Sequence, residues 1–113
     1  MVTANYVPDR GDVVWLDFHL QAGHEQAGRR PGLVLSPSAY NGRALLVVVC
    51  PISTKAKGYP FEVRIPRGFP VKGVVLSDHV RSVDWIQRNA ELWCHLPLEL
   101  SDQVSLRLSK LIR

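Results

Sequence analysis

Prolines and glycines cut this chain into lengths too short for most helices. Eight of each are spread over 113 residues, and the longest apolar run between them, residues 44–50, is strand-sized. Short apolar runs bounded by turn residues read as strands. Many of them joined by Gly/Pro-rich turns point to a mainly β domain, a small barrel of strongly bent strands, rather than to alternating βαβ units. A length of 113 residues leaves room for one domain, spanning 1–113, with one modest core.

Taken in order, residues 6–12 form a lead-in that ends in a turn at Gly11, and residues 13–18 form the first strand. That strand is apolar almost throughout, so periodicity does not say which side is buried. Residues 19–28 are a loop with two glycines, two histidines and one carboxylate. A second strand covers residues 32–35. Residues 37–40 make one helical turn before Asn41-Gly42, a strong turn signal. The third and most apolar strand, residues 44–50, is expected to stop at Pro51, which cannot extend a ladder on both sides. After a polar, basic connection at 53–60, residues 61–65 alternate apolar and charged, as a half-exposed strand does. Residues 66–70 turn the chain. Residues 73–76 and 79–83 are two short strands or one bent one, and 85–93 is ambiguous. Leu100, Val104, Leu108 and Leu111 recur at helical spacing. Ser101 is the expected N-cap of that final helix, with Lys110 and Arg113 near its C-terminus.

Several classes drop out. No apolar run approaches the roughly 18 residues of a membrane span, and the N-terminus lacks the basic-then-apolar pattern of a secretory signal. Cys50 and Cys94 give neither a disulfide framework nor metal spacing, and Cys50 reads as a small core residue. No dinucleotide-binding glycine fingerprint, phosphate-binding P-loop or zinc-binding His-Glu-x-x-His is present. A cytoplasmic protein fits. The net charge of +4 is unevenly placed: residues 26–77 hold eight basic side chains against Glu62 alone, while the other two stretches together are net negative. That asymmetry suggests an anionic partner for the middle of the chain.

Two polar connections carry groups suited to phosphate. The first offers His24, Glu25, Arg29 and Arg30 at the entrance to the second strand. Pro31 biases Arg30 toward an extended backbone, and a guanidinium presents a fixed fork of donors for a phosphate. The second offers Ser53, Thr54, Lys55 and Lys57. Tyr59 and Phe69, set among basic loop residues, suit base stacking. Arg67 and Lys72 add charge nearby. The mid-region has too few carboxylates for two-metal catalysis. A metal-free, cofactor-free route fits better, in which an RNA 2′-hydroxyl attacks its neighbouring phosphate. The protein then supplies a base, an acid and donors for the added charge.

The same residues carry a resemblance. Asp9-x-Gly11-Asp12-Val13, Gly23-x-Glu25-Gln26-Ala27-Gly28-x-Arg30-Pro31, Val34-Leu35-Ser36-Pro37, Pro51-Ile52-Ser53, Lys57-Gly58-Tyr59-Pro60-Phe61-Glu62-Val63 and Val80-Arg81-Ser82-Val83-Asp84 resemble the MazF/PemK family of toxin endoribonucleases. The resemblance implies an SH3-like barrel with a C-terminal α-helix, acting as a homodimer. It implies metal-independent cutting of single-stranded RNA at short sequences, leaving a 2′,3′-cyclic phosphate and a 5′-hydroxyl. It also implies neutralisation by a small MazE-like antitoxin protein lying in the RNA groove.

Residue by residue, the family's arginine falls on Arg30, its usual threonine on Ser53 and its loop glutamate on Glu25. Arg30 would hold the scissile phosphate and stabilise its added charge. Ser53 would donate to a nonbridging oxygen, without the methyl that stiffens threonine. Glu25 would be an acid/base partner or a lock on an arginine. Arg29, Thr54, Lys55, Lys57, Tyr59, Arg67, Phe69 and Lys72 would bind RNA. Two departures stand out: His24 replaces a small polar residue and His79 a glutamine. Histidine is the side chain best matched to proton transfer near neutral pH, so both are candidates for acid/base assistance. The alternative reading is a noncatalytic nucleic-acid- or protein-binding module of the same barrel.

Overall fold

The computed structural model describes residues 6–18 and 28–113. Its spine is β3 (Leu46–Ser53), the strand on which all the others depend. On one edge β3 pairs with β2 (Arg29–Val34). On the other it pairs first with β6 (Arg81–Asp84), through residues 46–49, and then with β5 (Val74–Leu76), through Ile52 and Ser53. β1 (Asp12–Asp17) lies beyond β2, and β7 (Glu91–His95) beyond β1. β4 (Glu62–Arg64) lies outside β5, and every pairing is antiparallel. A short helix, α1 (Ser38–Ala44), links β2 to β3, and α2 (Leu98–Ser109) closes the chain.

Both faces of the sheet are covered, which explains the unbroken apolar content of β1 and β3. Val13, Leu33, Cys50 and Ile52 face one cluster together with Leu100 and Val104 of α2. Their neighbours Val14, Leu16, Val34, Val47 and Val49 face a second cluster with Val83 and Trp85. Each of these buried Val and Leu side chains stabilises the fold by about 2 kcal/mol relative to exposure. Burial pushes the Cys50 thiol up to about 12, with the charge of Asp78 adding to it, so this cysteine stays an inert core residue.

The expected class holds: mainly β with a C-terminal helix. Closure does not, because among the described residues the sheet is open, ending in β4 and β7. Four boundaries also differ from expectation. β3 does not stop at Pro51. The proline sits opposite Gly32 on one edge and, on the other, in the gap where β3 leaves β6 for β5, so no ladder bond needs its missing N–H. β2 begins at Arg29, which puts both arginines in the strand rather than in the loop before it. The helix α1 runs through Asn41-Gly42 instead of turning there. α2 starts at Leu98 after Pro97, so Ser101 is not the cap; among the described residues its buried hydroxyl has no hydrogen-bond partner. Residues 73–76 and 79–83 resolve into two strands, β5 and β6, separated by a single 3-10 turn at Ser77–His79.

Asn41 lies inside α1, where it serves as a buried connector, rather than at the expected Asn41-Gly42 turn. Its amide donates to the carbonyls of Pro8 (2.7 Å) and Ser36 (2.9 Å), and its side-chain oxygen accepts from the Ser36 hydroxyl (2.6 Å). Its backbone carbonyl accepts from the Trp85 indole (2.8 Å). The N-terminal segment is tied in the same way. Asp12 accepts from the Tyr6 hydroxyl and the Asp9 N–H, and Asp9 caps α1 by accepting from the Ser38 N–H at 2.9 Å. Burial, with the Asp12 contact second, drives the Tyr6 hydroxyl far above its ordinary pKa. Asn41→Ala strands two carbonyls and a hydroxyl in the interior, and is expected to cost about 3 kcal/mol, read as a lowered midpoint in urea unfolding.

Candidate active site

Adjacent residues in a strand point to opposite faces, and this separates Arg29 from Arg30. On its face, Arg29 makes three hydrogen bonds. Its guanidinium donates to Asp17 Oδ1 (2.9 Å), to Glu91 Oε1 (3.0 Å) and to the Asn89 carbonyl (2.8 Å). Asn89, held at a positive φ of 55°, donates its own amide to Asp17 Oδ2 at 2.7 Å. Arg88 donates to the carbonyls of Asp17 and Phe18, and the Phe18 N–H donates to the Gly28 carbonyl. The result is a clamp that joins β1, β2 and β7 at the root of the connection formed by residues 19–27. Arg30 is exposed, and among the described residues no carboxylate pairs with it.

Arg30 opens onto a groove of about 700 Å³ whose wall includes Pro51, Ser53, Thr54, Lys55, Lys72 and His79. The β2–β3 register explains the meeting of Arg30 and Ser53. The ladder ends with Gly32 opposite Pro51, and just beyond that pair Arg30 of β2 and Ser53 of β3 both line the groove. The stacked pair Trp15 and Trp93, with ring centroids 4.7 Å apart, lines the groove as well. Two further cavities adjoin it. One of about 450 Å³ is lined by Arg30, Pro51, Asp78, His79 and Arg81, with Phe18 at its base under the Arg81 guanidinium (5.2 Å). The other, of about 260 Å³, is lined by Ser53, Lys55, Lys57, Tyr59, Glu62 and His79.

Backbone geometry fixes the Ser53 side of the groove. Gly73 has a φ of +115°, and a Cβ there would lie 2.0 Å from the Ser53 carbonyl oxygen, so β5 approaches Ser53 as only glycine allows. The Ser53 hydroxyl accepts from the Lys55 N–H at 3.1 Å. The Glu62 carboxylate accepts from the N–H groups of Lys57 (2.9 Å) and Gly58 (3.0 Å) and thereby shapes the basic connection. The lone acid of the basic stretch is therefore a loop anchor.

The sequence-based site residues sort as follows. Arg30, Ser53, Thr54, Lys55, Lys57, Lys72, Tyr59 and His79 share the connected cavities. Tyr59 is 61% exposed, a free ring for stacking. Arg29 lines the groove but spends its donors on Asp17 and Glu91. Phe69 packs against the core, and Arg67 is exposed but lines none of the three cavities. Glu25 and His24 lie outside the described residues. Asp78, Arg81 and the tryptophan pair were not singled out from the sequence; the only signal was Arg81's place in a quoted motif. Among the described residues no three His, Cys, Asp or Glu side chains come together as a metal site, and no helix is long and apolar enough to cross a membrane.

The clamp carries a pH signature. The Asn89 amide chiefly holds Asp17 below the ordinary carboxylate range; burial opposes it, and the Arg29 hydrogen bond and charge then add to the lowering. A folded-state pKa that is depressed adds stability above the unfolded value, and that stability is lost as pH falls through the folded one. The wild type's resistance to urea is therefore expected to fall from about pH 4 downward. In Asp17→Asn that part of the acid dependence should be missing; an unchanged acid slope would contradict the clamp.

The sequence matches, over residues 9–112, the family described as PemK-like, MazF-like toxin of type II toxin-antitoxin system. It is 46% identical over 89 residues to the endoribonuclease toxin MazF of Escherichia coli (strain K12), an alignment covering 79% of each chain. The fold matches a crystal structure of MazF from Deinococcus radiodurans with a TM-score of 0.87 and 54% identity, over 96% of this chain and 98% of that one. A MazE–MazF crystal structure from the same organism matches at a TM-score of 0.85 and 48% identity, over 96% and 97% of the two chains. The open, α2-backed sheet is thus shared with these toxins, and the chain belongs to the PemK-like, MazF-like toxin family of type II toxin–antitoxin systems.

Proposed function

We propose that this chain is an endoribonuclease toxin that cuts single-stranded RNA within the Arg30–Ser53 groove. The observation that carries the reading is the contrast between neighbouring arginines. Arg29 is neutralised by two carboxylates, whereas Arg30 stands exposed and unpaired among the described residues, at the junction of two cavities lined with further cations. A rigid strand holds it where a phosphate would lie, and its relatives of known name are endoribonucleases.

The chemistry draws its nucleophile from the substrate. The 2′-hydroxyl attacks the adjacent phosphorus and the 5′-oxygen leaves, giving a 2′,3′-cyclic phosphate and a 5′-hydroxyl without a metal-bound nucleophile. Arg30 stabilises the charge added to the nonbridging oxygens. Ser53 donates its hydroxyl to one of them, and Thr54, Lys55, Lys57 and Lys72 carry the flanking phosphates. Tyr59 stacks on a base. Glu25 supplies an acid/base partner or orients an arginine from the neighbouring connection, with His24 beside it in sequence.

A MazE-like antitoxin would neutralise the enzyme, as the existence of MazE–MazF complexes of a relative suggests. An acidic, partly disordered segment that folds on binding suits the basic middle of the chain. A single toxin domain, residues 1–113, acting as a cytoplasmic homodimer completes the reading.

The test is incubation with a long single-stranded RNA in EDTA, followed by mapping of cut sites and end groups. Discrete cuts with cyclic-phosphate ends are expected on RNA and none on the matching DNA. Arg30→Ala should lose on the order of 10²-fold or more in rate with an unchanged unfolding midpoint, because the side chain is exposed. RNA binding without cutting would instead support the noncatalytic module.

A further inference from the structure

Three cavities converge on one side chain. His79, on the 3-10 turn between β5 and β6, lines the main groove and both of its neighbours, so it stands beside Arg30 on one side and Ser53 on the other. Its side chain is 58% exposed, and Asp78 Oδ1 lies 3.8 Å from Nε2, too far for a hydrogen bond. Among the described residues neither ring nitrogen has a hydrogen-bond partner. The charged groups sharing these cavities with it are Arg29 and Arg30 from β2, Arg81 from β6, Lys55 and Lys57 from the basic connection and Lys72 before β5, against Asp78 and Glu62. That is a setting which draws a phosphate to the imidazole.

Cleavage at the groove needs a proton for the departing 5′-oxygen. Arg30 holds its protons through the whole physiological range, and an ionised carboxylate is an acceptor only, suited to taking the 2′ proton rather than giving one. Among the described histidines, His95 is held on Asp12 at 2.6 Å and lines none of the three cavities. His79 is left as the imidazole there, the side-chain type best matched to proton transfer near neutral pH. The geometry points to His79 as the general acid of the reaction. This rests on the endoribonuclease reading above. As the bond from the 2′-oxygen to phosphorus forms, the 2′ proton passes to a carboxylate or water. The bond from phosphorus to the 5′-oxygen breaks, and that oxygen takes the imidazolium proton to become the 5′-hydroxyl. Water then reprotonates the ring.

The test compares two oligonucleotides with a single ribonucleotide at a mapped cut site, one with the natural 5′-oxygen leaving group and one with sulfur in its place. A thiolate leaves without protonation, since a thiol ionises near pH 8.5. His79→Gln keeps the size and polarity of an exposed side chain, so the fold is not at stake. The variant is expected to lose about 10²-fold on the oxygen substrate and less than roughly fivefold on the sulfur one. Its affinity for an uncleavable all-deoxy analogue should match the wild type. Equal losses on both substrates would overturn the acid role, as would a loss of affinity as large as the loss of rate. Failure of the wild type to cut the oxygen substrate would overturn the endoribonuclease reading itself, and this inference with it.

Discussion

The bidentate engagement of Arg29 by Asp17 and Glu91 is the contact on which the site depends. It ties β2 to β1 and β7 at the one point where the chain leaves the sheet for residues 19–27, and Asn89 and Arg88 complete the tie from the other side. Ion pairs of this kind add little stability when exposed. Their effect here is geometric. With Arg29 fixed on one face, strand alternation commits Arg30 to the other, where it lines the groove without a carboxylate partner among the described residues. One arginine is consumed so that the next can be presented.

The opposite wall obeys a different constraint. Ser53 is the last residue of β3, where that strand would ordinarily fray, but β5 grips it through the Ser53–Val74 pair and the close approach at Gly73. Glu62 then shapes the outgoing basic connection by accepting two consecutive N–H groups. Both walls thus come from strand ends reinforced by a second strand. That arrangement gives precise placement of phosphate-directed groups without burying any of them, and it leaves the cations accessible to an extended polyanion.

The β content, the order of the strands and the C-terminal helix were legible because apolar runs, turn residues and helical spacing each reported locally. What failed were positions where a tertiary contact overrode a local preference. Asn41-Gly42 has strong turn chemistry, yet the buried hydrogen bonds of Asn41 to Pro8 and Ser36 hold it in a helix. Pro51 reads as a strand terminator, but the change of partner along β3 removes the need for its N–H. Ser101 has a capping side chain, while the chain direction set by Pro97 starts α2 earlier. Arg29 and Arg30 look equivalent in sequence, since the carboxylates that distinguish them, Asp17 and Glu91, lie on other strands. Asp78 and Arg81 were overlooked as wall residues for the same reason, because a short bend between two strands announces nothing of what it faces. Charge and family likeness singled out Arg30, Ser53 and the lysines, which line the connected cavities, whereas the packing of Phe69 against the core is long-range and left no local sign.

The central claim is that neighbouring arginines divide structure from recognition. The most direct measurement is NMR of the arginine side-chain Nε–H signals during titration with a single-stranded oligonucleotide that cannot be cut because its cleavage-site 2′-hydroxyl is absent. The Arg30 signal should move and broaden with saturation, while that of Arg29 stays at its free position. Movement of Arg29 as large as that of Arg30, or of Arg29 alone, would contradict the division and with it the account of the groove.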